Sequence, residues 1–165
     1  MERDTRRSRV YRAEAILARM LARCDSSGNP VVQIHGITVT MPPEAKFASL
    51  ESISAYMDRV LAMPTVIERF GAARPITVRE RKGAREAHYE RDGAIIAIPV
   101  SVSETRWALR ELVVLHELAH HLCPDSGHGP RYIQTHLALL ELVMGAEVAL
   151  VLRVLYDQNG VPSAP

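Results

Sequence analysis

The chain has 165 residues and a mass of 18.3 kDa, the size of one ordinary domain. Hydrophobic residues make up 47% and charged residues 24%, which excludes a disordered chain, a collagen-like repeat and a coiled-coil rod. With 20 Lys and Arg against 19 Asp and Glu, the formal charge is +1, too balanced for a general electrostatic pull on nucleic acid or an anionic membrane.

Residues 1–9 are polar and basic and read as a solvated tail. From Val10 to Cys24 the residues Val10, Ile16, Leu17, Met20 and Leu21 fall near one face, which predicts a helix ending at the turn cluster 25–30. Val31 to Met41 alternates and is rich in β-branched residues, so it reads as strand, with Gly36 as a bulge or as a tight turn between two short strands. Residues 49–63 set Leu50, Ile53, Tyr56, Met57, Val60 and Leu61 on one side. They predict a helix capped by Ser49 or Ser52 and followed by Pro64.

Three short strands follow, at 76–80, 87–90 and 94–100, the last two joined by Arg91-Asp92-Gly93, a hairpin signal. Proline cannot donate to a ladder, so Pro99 ends the last strand or places it at an edge. Ser103 is expected to open a long helix running through Leu109, Leu112, Val113 and Leu115 to Leu122, with Pro124 as its stop. A loop at 125–129 leads to Pro130, well placed at the first position of a helix that reaches about Met144. Gly145 breaks it, and a last helix runs to about Asp157. The expected fold class is α+β, as one domain over 10–158 between flexible tails at 1–9 and 159–165.

Cys24 and Cys123 are too few and too far apart for a disulfide framework or a zinc ribbon, and read as reduced thiols. The charged N-terminus shows no signal peptide, and Glu141, Gly145 and Glu147 interrupt the most apolar late stretch. A cytoplasmic protein is expected.

The chemistry lies in Leu115-His116-Glu117-Leu118-Ala119-His120-His121, an H-E-x-x-H pattern inside a predicted helix. At about 3.6 residues per turn, i and i+4 share a face, so His116 and His120 converge on one ion. Glu117 is offset by about 100° around the helix, beside the ion and suited to meet a bound water without ligating. Val113, Val114, Leu115, Leu118 and Leu122 make the rest of the helix apolar. Two histidines and a glutamate buried there need a partner, because unpaired buried polar groups are costly. A catalytic zinc keeps a third protein ligand and one open position. His128, between Gly127 and Gly129, is the first choice; Glu141 and Glu147 are rivals, and Asp125 is a lesser one that could instead orient a ligand.

The run from His116 to Tyr132, H-E-L-A-H-H-L-C-P-D-S-G-H-G-P-R-Y, resembles the zinc-site segment of small zincin-type metallohydrolases of actinobacteria. More distantly it is similar to SprT-like and WLM-type metalloprotease domains, where a loop histidine follows H-E-x-x-H. The resemblance extends from the strand at 95–100 to about Tyr156. It implies a minimal zincin-like fold, with His116, His120 and His128 as ligands of one Zn²⁺ and Glu117 as general base. The distant families often carry Glu-Phe where this chain has Arg131-Tyr132, and the DNA-binding extensions of SprT-like proteins have no counterpart here.

The expected reaction is metal-assisted hydrolysis of an amide bond in a peptide or protein, with no nucleic acid or membrane partner. Tyr132, His121, His136 and Arg131 are the candidates to stabilise the oxyanion. Cys123, beside Pro124, is a minor ligand candidate. The strand at 95–98 either lends an edge to an extended substrate or is plain core sheet. The alternative from another class is a zinc-stabilised binding module without catalysis. Glu117 weighs against it, since a purely structural site gains nothing from that carboxylate.

Overall fold

The computed structural model describes residues 4–83, 86–100 and 109–164. It divides into two compact units, one formed by Met1–Glu44 with Asp125–Pro165 and the other by Ala45–Pro124. Among the described residues there are six helices and two small sheets, an α+β fold as expected. No helix among them is long and apolar enough to cross a membrane.

The first unit holds helix α1 (Arg7–Ser27), the hairpin β1 (Val31–Ile34) and β2 (Ile37–Thr40), and helices α5 (Pro130–Met144) and α6 (Ala146–Gln158). α1 buries Val10, Leu17 and Leu21 of the expected face, adds Ala13 and leaves Ile16 and Met20 half-buried; it packs on α6 and β1, while α5 packs on α6. His35 and Gly36 both have positive φ, at 50° and 76°. They form the primed two-residue turn that matches strand twist, so Gly36 marks a turn and not a bulge. α1 starts at Arg7, a turn earlier than expected, because Asp4 accepts the amides of Arg6 and Arg7 at 3.2 and 3.1 Å.

The expected tail at 159–165 is also tied down over its described part. Val161 is fully buried, and the Ser163 hydroxyl donates to Asp157 at 2.8 Å.

The second unit holds α2 (Leu50–Leu61), α3 (Pro64–Phe70), the strands β3 (Thr77–Glu80), β4 (His88–Glu90) and β5 (Ile95–Ile98), and α4 (Glu111–Leu122). Ser49 caps α2 with a reciprocal bond to Ser52, so both expected caps take part. Pro64 follows α2 as expected and also begins α3, a helix the sequence pattern does not predict.

The sheet order is β3-β5-β4, with β5 parallel to β3 and antiparallel to β4. β5 is therefore the central strand, paired on both edges, so of the two alternatives it is core sheet and not a substrate edge. Ile96, Ala97 and Ile98 are fully buried in succession, as in a strand covered on both faces. The strand ends before Pro99. In the β4–β5 connection the left-handed residue is Ala94, at φ 49°, and the loop is one residue longer than expected.

α2 packs on β3 and on α4, and α4 packs on β4. The expected start of the long helix at Ser103 lies outside the described residues. Within them, Arg110 is extended and bridges Lys46, so α4 begins at Glu111.

Candidate metal centre

α4 is apolar on almost every side, and Val114, Leu115, Leu118 and Ala119 are fully buried. A helix with this pattern belongs in a core, and its middle carries His116, Glu117 and His120 toward that core. His116 is 2% exposed, Glu117 is 3% exposed, and His120 is half-buried. The rings of His116 and His120 stand edge to face with centroids 5.1 Å apart. Their ligand nitrogens lie within 4.8 Å of one another. The i, i+4 spacing thus delivers the convergence expected of it.

His121 is committed elsewhere. Its Nε2 donates to the Arg74 carbonyl at 2.9 Å, and its Nδ1 meets the Tyr89 hydroxyl at 2.9 Å. A carbonyl can only accept, so this is the Nε2–H tautomer, with Nδ1 accepting from Tyr89. Burial lowers its pKa, helped by Arg74 and Arg91 and opposed by the hydrogen bond to the carbonyl. His121 therefore braces α4 against β4, and this corrects its place among the oxyanion candidates. The Arg91 guanidinium caps the end of α4 by donating to the carbonyls of His120 and Cys123 at 3.2 and 3.0 Å. Cys123 is buried with a free thiol.

His128 belongs to the first unit, where it is 6% exposed. Gly127 turns the loop ahead of it at φ +75°, a conformation that strains other residues. The His128 ring makes T-shaped contacts with two aromatic rings, Tyr11 at 5.7 Å and Tyr132 at 4.9 Å between centroids. Its Nδ1 lies 2.5 Å from Oδ2 of Asp4. Burial pushes the Asp4 carboxyl up. The bond and charge of His128, with the amides of Arg6 and Arg7, outweigh this and hold it below the usual carboxylate range.

A second polar cluster lies deeper in the same unit. Tyr156 donates to Glu14 Oε1 at 3.0 Å, and Nδ1 of His136 lies 2.9 Å from the phenol oxygen and 3.2 Å from the same carboxylate oxygen. His136 and Tyr156 are 1% and 0% exposed. Burial pushes Glu14 up against the pull of His136 and Tyr156, and pushes the Tyr156 phenol well above its ordinary value. His136 is thereby occupied as a core residue.

The other candidates separate clearly. Glu141 and Glu147 are exposed on α5 and α6. Asp125 and Arg131 are both exposed and pair at 3.0 Å. Tyr132 is fully buried between the rings of His128 and His136, the latter 5.6 Å away. Asp4, Glu14 and Tyr156 were not singled out from the sequence. For Glu14 there was a signal: a charge on the apolar stripe of α1 beside Val10, Ala13 and Leu17.

Buried and half-buried His and Glu groups that could hold a metal ion are thus present: His116 and His120 in the second unit, and His128, His136 and Glu14 in the first. No family model, curated protein or solved structure matches this chain.

Proposed function

We propose that the protein is a zinc-dependent hydrolase of amide bonds, a metallopeptidase, in which His116, His120 and His128 hold one ion and Glu117 is the general base. The observation that carries this reading is the pair His116 and His120, converging on one face of a buried helix with a buried carboxylate at the next position. The resemblance of the segment 116–132 to zincin-type metallohydrolases supports it. Glu14 and His136 already share Tyr156, which favours His128 as the third ligand.

When bound, Zn²⁺ lowers the pKa of water toward about 7 and polarises a carbonyl. Glu117 takes the proton of the attacking water and delivers it to the leaving amine, a contribution of about 10²–10⁴ in rate. Its place inside an apolar helix keeps the carboxylate from bulk water and fixes its aim. The substrate is a peptide or protein.

The test compares wild type with Glu117→Gln, measuring bound zinc in both and profiling cleavage of a peptide library derived from a proteome. Equal zinc with cleavage in wild type alone is the expected result. Equal zinc with no cleavage by either protein overturns the hydrolase and leaves a zinc-stabilised binding module.

A further inference from the structure

The segment ahead of α1 is tied to the loop that carries His128, and one carboxylate makes both attachments. Oδ1 of Asp4 takes the amides of Arg6 and Arg7, while Oδ2 faces Nδ1 of His128. The first set of bonds orders the turn that leads into α1. The second has no role in that turn. An imidazole opposite an ionised carboxylate must donate, so the proton sits on Nδ1 and the lone pair of the neutral ring is on Nε2. The rings of Tyr11 and Tyr132 both make T-shaped contacts with the imidazole.

A carboxylate on the far nitrogen is the usual device for setting the tautomer, the orientation and the basicity of a metal-ligating histidine. We propose that Asp4 is a positioning residue for His128, presenting its Nε2 to a divalent cation. The inference rests on the metal reading above and deepens it. It makes the N-terminal segment part of the metal centre, across 124 positions of chain.

The test uses three full-length proteins. Asp4→Ser keeps an oxygen for the amides of Arg6 and Arg7 but is too short to reach His128. Asp4→Glu keeps two carboxylate oxygens, an acceptor for each. Zn²⁺ affinity, measured by chelator competition, is expected to fall about 10–100-fold in Asp4→Ser, with a smaller loss in Asp4→Glu. The visible bands of the Co²⁺-substituted protein should shift in Asp4→Ser, while the melting temperature of the metal-free protein stays near wild type. Asp4→Ser with wild-type affinity and an unchanged Co²⁺ spectrum overturns the proposal.

Two-bond ¹H–¹⁵N NMR of the metal-free wild type reads the tautomer independently of any variant. Nδ1–H on His128 is expected, and Nε2–H overturns the assignment even if Asp4→Ser does not fold. Wild type that takes up no ion defeats the metal reading itself, and the tautomer still decides whether Asp4 orients the ring.

Discussion

His116 and His120 face each other edge to face, their ring centroids 5.1 Å apart and one helical turn between them. Their ligand nitrogens lie within 4.8 Å of one another, a separation that a divalent ion bound to both would suit. Binding to the folded state alone stabilises by about 2.7 kcal/mol when free ion is a hundred times Kd. At about 2–4 °C per kcal/mol for a chain of this size, micromolar Zn²⁺ should raise the melting temperature by roughly 5–10 °C. His120 is half-buried, so His120→Ala should fold and lose most of this response. An undiminished Zn²⁺ shift in that variant would contradict the pairing.

Tyr156 links α1 to α5 through Glu14 and His136. Removing its hydroxyl takes one partner from each of Glu14 and His136, which still face each other at 3.2 Å, and costs about 0.5–1.5 kcal/mol. Tyr156→Phe should therefore lower the urea midpoint of the metal-free protein without changing the slope of the transition. A midpoint equal to wild type would show that the network contributes nothing.

Glu111 has the same importance in the second unit. It is 7% exposed, accepts the Ala45 amide at 2.9 Å and accepts the Tyr56 hydroxyl at 2.5 Å. Together with the backbone bonds of Phe47 to Leu109 and of Glu111 to Ala45, at 2.8 and 2.9 Å, it fastens the entry of α4 to the chain ahead of α2. Glu111→Ala is expected to cost about 2–4 kcal/mol. Tyr56→Phe should cost less, since the Ala45 bond survives. Chemical denaturation of both variants checks the order.

His88 on β4 predicts a dependence on pH. Burial lowers its pKa below 6.5, as do Arg81 and Arg79, against the opposing pull of Glu90. Between the folded value and 6.5, the unfolded chain binds more protons than the native one, so this group makes stability rise with pH across that window. In His88→Gln the rise in unfolding free energy from pH 5.5 to pH 7 should be smaller than in wild type. Identical slopes in the two proteins would remove His88 as a contributor.

The readable part of this protein is the part governed by near neighbours in sequence. The two-residue turn at His35 and Gly36, the cap at Ser49, the proline start of α5 and the i, i+4 histidines of α4 each depend on interactions within about one turn. What the sequence concealed depends on distant partners. β5 became central through its parallel pairing with β3, a choice that no local pattern of Ile95–Ile98 expresses. α3 was hidden because Pro64 serves equally as a stop for one helix and a first residue for the next. Asp4 and Glu14 reach partners 124 and 142 positions away, His128 and Tyr156. Only the charge of Glu14 on an apolar stripe hinted at such a partner.

The most direct measurement is anomalous diffraction at the zinc absorption edge from crystals of the purified protein grown with one equivalent of Zn²⁺. The account predicts one strong peak bonded to nitrogens of His116, His120 and His128, with Glu117 near it and not bonded. A peak that omits either α4 histidine or His128, or no peak at full occupancy, would contradict it.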